Sequence, residues 1–149
     1  MGKQSVEVEA SLHLFRVLSR AYQSISEHSS RSSKAHGFHP TEFSVLELLY
    51  HKGPQPLKEI GSQILLTSGS ITYVVDKLEK LGLLRREHSS EDRRMIFAVL
   101  TEKGEKLLDE IFPIHAQDLH QALSGLDDQE REECIRLLKK LGYHAKNTL

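Results

Sequence analysis

The chain has one cysteine in 149 residues, Cys134, so it cannot hold an internal disulfide framework and fits a reducing cytosol. No apolar run approaches the roughly 18 residues of a membrane-spanning helix. The polar start MGKQSVEVEA lacks the features of a signal peptide. A dominant charge is missing too, with 20 Lys and Arg against 21 Asp and Glu and a net charge of -1. That balance excludes a wholesale polycation, so any binding to nucleic acid must come from local placement of charge. There is no internal repeat, no low-complexity segment, no glycine-rich nucleotide loop and no nucleophile–base constellation. The expectation is a cytoplasmic, non-enzymatic protein without membrane contact or cofactor, one subunit spanning 1–149 and long enough to bury a real core.

What is present is mostly helical periodicity. From about Val6 to His36, the residues Leu14, Phe15, Leu18, Ala21, Tyr22 and Ile25 recur at three- and four-residue steps, and Gly37 ends the pattern. HPTEFSVLELLYHKG reads as a second helix, with Pro40 in its first turn and Glu42 placed as the acid of a capping box on His39. After the break at GPQP, LKEIGSQI gives a short helix with Leu57, Ile60 and Ile64 on one face. TSGSITYVVDKLEKLG gives the next, which Thr67 can cap and Gly82 can stop. Two short helices joined by a tight turn are the mark of a helix-turn-helix. Leu83–Glu87 and Met95–Leu100 then read as a two-stranded hairpin. Thr101 caps a further helix that Pro113 should bend or offset, and Asp127 with Glu130 boxes the start of the last one. The inner face of that helix is Cys134, Leu137, Leu138 and Leu141. The fold class is mainly α with a small β-hairpin.

The middle of the chain looks built to read DNA. In the helix from Thr67 to Leu81, Ile71, Val74, Val75 and Leu78 share the core-facing side. The opposite side carries Gly69, Thr72, Tyr73, Asp76, Lys77 and Lys80, with Ser68 and Ser70 on its flanks. Hydroxyls at the start of a helix can bond bases or phosphates, and the helix amides attract phosphate. The loop SSEDRR then carries Arg93 and Arg94, with Asp92 beside them as a brace. A hairpin tipped with arginines directly after a helix-turn-helix makes a wing, and a narrow minor groove draws arginine in. From Gly53 to Gly104 there are eight Lys/Arg against seven Asp/Glu, so binding should depend on geometry and be salt-sensitive.

The stretches TEFSVLELLY, LLTSGSITYVVDKLEKLGLLRRE and EDRRMIFAVLTEKG, in that order, resemble the MarR family of bacterial transcriptional regulators. The resemblance covers essentially the whole chain. It implies a homodimer built from the helices at 6–36 and 105–147, flanking a winged helix-turn-helix DNA-binding lobe at 37–104. It places Ser68, Ser70, Thr72 and Tyr73 in the major groove and Arg94 in the minor groove, held by Asp92. Tyr73 stands where many members have arginine, and Ser89 replaces an acidic or other polar residue at the start of the wing loop.

Within the family, HGFHPTEFSVLELLYHKGPQPLKEIGSQILLTSGSITYVVDKLE is most similar to Gram-positive repressors of quinone and catechol resistance genes. The implied function is a homodimeric repressor of a pseudo-palindromic operator, part of a stress response and released by a small phenolic or quinone-like effector. Tyr22, Phe38, His39, Phe43 and His115 are candidates to line its pocket, although packed hydrophobics and caps account for the same residues. Cys134 could sense thiol oxidation, but it shares an apolar helical stripe, where cysteine behaves as an inert hydrophobe. A winged helix used for protein contacts is the other alternative. Nine histidines raise the question of metal, yet no three or four of them converge in sequence as a zinc site requires, so no metal is expected.

Overall fold

The computed structural model describes residues 4–64 and 70–149. Helix α1 (Val6–Ala35) starts where the Ser5 hydroxyl accepts the Val8 N–H. It stops at Gly37, whose φ of 88° is open to glycine at little cost. Helix α2 (Pro40–Lys52) opens with the expected box: the His39 ring nitrogen Nδ1 accepts the Thr41 N–H, and Glu42 Oε1 accepts the His39 N–H at 2.8 Å. Strand β1 (Gln55–Pro56) and helix α3 (Leu57–Gln63) follow.

Helix α4 (Ile71–Lys80) has Ser70 as its N-cap, whose hydroxyl accepts the Tyr73 N–H. The cap expected at Thr67 lies outside the described residues, as do Ser68 and Gly69. Strands β2 (Leu84–His88) and β3 (Ile96–Leu100) form the hairpin, each starting one residue later than the sequence pattern indicates. Helix α5 (Glu102–Ala122) continues through Pro113 without a break, and α6 (Asp128–Asn147) begins on the expected Asp127–Glu130 box. The sheet is antiparallel in the order β1-β3-β2, with Pro56 opposite Phe97 and Arg86 opposite Ala98. The third strand, β1, is not legible in the sequence.

The core belongs to the central lobe and to the half of α5 that packs on it. Phe43, Val45, Leu46, Ile60, Val75, Leu78, Leu84 and Leu108 are all buried. The three apolar positions Val74, Val75 and Leu78 turn α4 inward, as their spacing requires. The terminal helices differ. Helix α6 buries no residue, so the stripe read as an inner face has no partner among the described residues. Leu137, Leu138 and Leu141 stay exposed there, as do Leu14 and Phe15 on α1.

Where α1 crosses α5 the contact is polar and buried. Ser32 donates its hydroxyl hydrogen to Asp118 Oδ2 at 2.6 Å, and His115 Nδ1 lies 3.1 Å from the same hydroxyl oxygen. A hydroxyl has one hydrogen, so His115 must be the donor in the second bond, which leaves its Nε2 as an acceptor. Burial holds the His115 ring below its usual pKa and therefore neutral, and Phe43 of α2 packs against it with ring centres 4.4 Å apart.

One glycine is required by packing. A Cβ on Gly104 would sit 2.1 Å from the backbone oxygen of Leu83, which accepts the Thr101 N–H. Thr101 also caps α5 through the Gly104 N–H, so the LTEKG turn has no slack. Gly104→Ala should lower stability by about 1–3 kcal/mol, the usual cost of overpacking, as a reduced midpoint in urea unfolding. An unchanged midpoint would show that the turn can move.

Candidate nucleic-acid interface

Helix α4 presents Thr72, Tyr73, Asp76, Lys77 and Lys80 outward, opposite its buried stripe. Tyr73 is 71% exposed. Ser70 is spoken for as the cap. Lys77 is also committed: its ammonium lies 2.8 Å from Glu42 Oε2 and donates to Oε1, an attachment that raises its pKa and keeps it charged. Lys77 therefore ties α4 to the first turn of α2 and has less freedom to reach a phosphate than Lys80, which makes no ion pair among the described residues.

A second attachment fixes the other side of α4. Arg86 on β2 donates through Nη1 to Glu79 at 2.6 Å and through Nη2 to Asp76, while its backbone N–H donates to the same Glu79 carboxylate. The hydrogen bond to Asp76, aided by the charge of Glu79, raises the Arg86 pKa against the opposing effect of burial. Asp76 and Glu79 sit one turn apart on α4, so a single forked guanidinium spans both. This bridge sets the hairpin's position relative to the exposed face of α4.

The loop between β2 and β3 is held by its own short side chains. The Ser89 hydroxyl accepts the N–H groups of Glu91 and Asp92, and the Met95 N–H donates to the Asp92 carbonyl. Ser89 thus shapes the turn through a local hydroxyl–backbone motif. Asp92 Oδ1 accepts both the Arg94 N–H at 3.0 Å and Arg94 Nε at 3.3 Å. The brace uses Nε alone and leaves the terminal nitrogens of a side chain that is 92% exposed. Arg93 is exposed beside it, its carbonyl 3.1 Å from His88 Nδ1.

A cavity of about 400 Å³ opens between α1, α2, α3 and α5. Tyr22 and His115 line it, together with Glu47, Ser29, Ser44 and Leu48. Phe38 and Phe43, candidates for such a pocket from the sequence, are instead part of the hydrophobic core, because both are too apolar to leave a buried cluster. His39 lines a separate crevice with Tyr22 and Lys34, and its Nδ1 is occupied in capping α2. Cys134 is half-buried on the uncovered helix α6. No cluster of three or more His, Cys, Asp or Glu side chains is arranged to hold a metal, and no helix is long and apolar enough to cross a membrane, among the described residues.

A model of the MarR family matches residues 38–96. The HTH-type transcriptional regulator MhqR of Bacillus subtilis (strain 168) is 57% identical over 138 residues, spanning 93% of this chain and 95% of that protein. The chain belongs to the MarR family. It is a DNA-binding transcriptional regulator of the winged-helix kind, and not an enzyme. The fold agrees: Sco3205 of Streptomyces coelicolor, a MarR-family regulator whose structure is in complex with DNA, superposes with a TM-score of 0.77 at 22% identity. That match covers 95% of this chain and 90% of Sco3205. BpsR of Bordetella bronchiseptica, whose DNA binding is regulated by 6-hydroxynicotinic acid, gives 0.75 at 25% identity, covering 95% and 98%.

Three residues of this MarR-type lobe are not singled out by sequence pattern for the roles they hold: Arg86, Glu42 in its bond to Lys77, and Glu47 in the cavity. Only the first has a sequence signal, the acidic pair Asp76 and Glu79 one helical turn apart and just before two arginines. Arg86→Ala should cost about 1–2 kcal/mol, since its charged hydrogen bonds are partly open to solvent. It should weaken DNA binding by more than that loss of fold explains, because the hairpin would no longer be held against α4. Equal effects on urea midpoint and on affinity would remove the orienting role.

Proposed function

We propose that the protein is a cytoplasmic homodimeric repressor that binds a pseudo-palindromic operator and releases it when a small phenolic effector enters the cavity between α1, α2, α3 and α5. The observation that carries the DNA contact is the pairing of an exposed α4 face with an arginine fixed in direction by Asp92. Thr72 and Tyr73 face the major groove with Ser70 at the helix entrance, and Ser68 belongs to the same contact as an expectation from the sequence. Arg94 enters the minor groove with Arg93 near its edge, and Lys77 holds α4 in place. Dimerisation is supported by the uncovered apolar stripes of α1 and α6, which together leave Phe15, Leu137 and Leu138 in water. Two lobes would then meet half-sites about one helical turn apart.

The chemistry of the cavity supports a hydroxylated ring. Its walls combine Tyr22 and Leu48 with two acceptors, the Glu47 carboxylate and the Nε2 lone pair of a neutral His115. Glu47 makes no hydrogen bond or ion pair among the described residues, and burial raises its pKa against the opposing charge of His51. A catechol, with two O–H groups, can supply a donor to each. The volume suits one substituted ring, at the low end of ligand pockets.

The test is fluorescence anisotropy with DNA from upstream of the protein's own gene and a scrambled duplex, across a range of salt. Preference for the upstream DNA, abolished by catechol, is the expected result; equal binding to both would sink the operator reading. Arg94→Ala should weaken the complex by about tenfold or more, given roughly 1–3 kcal/mol for a good base-edge contact, without changing the dimer. Unaltered affinity would remove Arg94 from the interface. Glu47→Gln should keep DNA binding while the response to catechol shifts to higher concentration, and an undiminished response would exclude Glu47 as its acceptor.

A further inference from the structure

Four of the lobe's cations are held in ion pairs: Lys77 with Glu42, Arg85 with Glu87, Arg86 with Asp76 and Glu79, and Arg94 through Nε with Asp92. Lys58 is not. It lies in the first turn of α3, is exposed, and forms no ion pair or hydrogen bond among the described residues. The sheet brings it to the wing. Strand β1 pairs with β3 so that Pro56 faces Phe97, which sets the start of α3 beside the wing end of β3. Lys58 and Arg94 accordingly line one small crevice of about 170 Å³, whose other walls are Pro56, Leu57, Met95 and Ile96. None of those walls is acidic. Lys58 has no ion pair among the described residues, and Arg94, although braced by Asp92 through Nε, keeps its exposed terminal nitrogens for a further acceptor.

We propose that Lys58 and Arg94 together form a clamp for one DNA backbone phosphate at the edge of the minor groove, joining the first helix of the helix-turn-helix to the wing. This rests on the DNA-binding reading above. The first helix of such a motif crosses the sugar–phosphate backbone, so a lysine in its first turn falls where a phosphate passes. The clamp fixes the register of the wing and carries no sequence information. Arg94 then has two duties, with its fork shared between groove and phosphate, whereas Lys58 has only the phosphate.

The test compares wild type, Lys58→Gln and Lys58→Arg by anisotropy on the upstream DNA and on the scrambled duplex over a range of salt. Lys139→Gln serves as a control for net charge on an exposed part of α6. Lys58→Gln should weaken binding to both duplexes by the same factor and reduce the slope of log K against log salt by about 0.9, the value for one phosphate no longer neutralised. Lys58→Arg should restore most of both. An unchanged slope, an equal weakening in Lys139→Gln, or a weakening confined to one duplex overturns the clamp. If wild type itself binds neither duplex, the DNA reading fails with it; salt-sensitive wild-type binding that Lys58→Gln leaves untouched defeats the clamp alone.

Discussion

The carboxylate of Glu42 is the constraint on which the lobe turns. It is 4% exposed, and a charge so placed is tolerated only when it is paired. One oxygen closes the box at the start of α2 by accepting the His39 N–H, and the pair of them holds the Lys77 ammonium. Removing Lys77 would strand a buried anion, and removing Glu42 would free both the cap and the recognition helix. The first turn of α2 and the middle of α4 are therefore tied to each other. Arg86 extends that tie to β2 through Glu79 and Asp76. The exposed face of α4 and the arginine-tipped loop are thus held in one frame by two sets of charged bonds. A balanced composition could accommodate this because so many of the acids serve as anchors.

The same pairing explains why a chain with nearly no net charge can present a basic surface. Asp76, Glu79, Glu87 and Asp92 are each turned onto a neighbouring arginine, while Arg93, Lys58 and Lys80 make no ion pair among the described residues. Local geometry converts a net of about one positive charge into a surface whose unmatched groups are mostly cations. The terminal helices supply the other half of the design. They bury little of their own apolar area, and the polar junction of Ser32, His115 and Asp118 fixes α1 to α5 without using the stripes that remain open. In the proposed dimer those stripes are available for the second copy.

Features written in neighbouring residues were open to sequence reasoning. The His39–Glu42 box, the core stripe of α4, the hairpin, the Asp92 brace and the Asp127–Glu130 box are all local patterns, and each reappears in the fold. What stayed hidden depends on distance along the chain. Glu42 and Lys77 are 35 residues apart, and nothing near either names the other. Strand β1 is two residues long and contains a proline, so no alternation could announce it. Lys77 looks in sequence like any solvated lysine on a groove-facing side. Phe38 and Phe43 suit a pocket as well as a core, since an aromatic side chain satisfies both until the packing is known. The open stripe of α6 reads as an inner face because periodicity reports that a face is apolar and is silent about whether the same chain covers it.

The proposed effector site and the DNA face share helix α2, and this is where coupling between them has to act. Glu47 lines the cavity from that helix, while Glu42, just over one turn earlier, anchors α4. Gln63 and Ile64, at the end of α3, border the same cavity. The Glu47 carboxylate has no donor among the described residues, and the neutral His115 offers a second acceptor. In the proposed mechanism, a ligand that donates to both would draw α2 and α5 toward itself, and the pull would pass along α2 to Glu42 and so to α4. It can only shift the DNA-binding equilibrium by the difference between its affinities for the two arrangements, about 1.4 kcal/mol for each factor of ten. Two hydrogen bonds to groups left unsatisfied without the ligand are of that order. A ring that merely fills the space without donating would bind both arrangements alike and leave the DNA where it is.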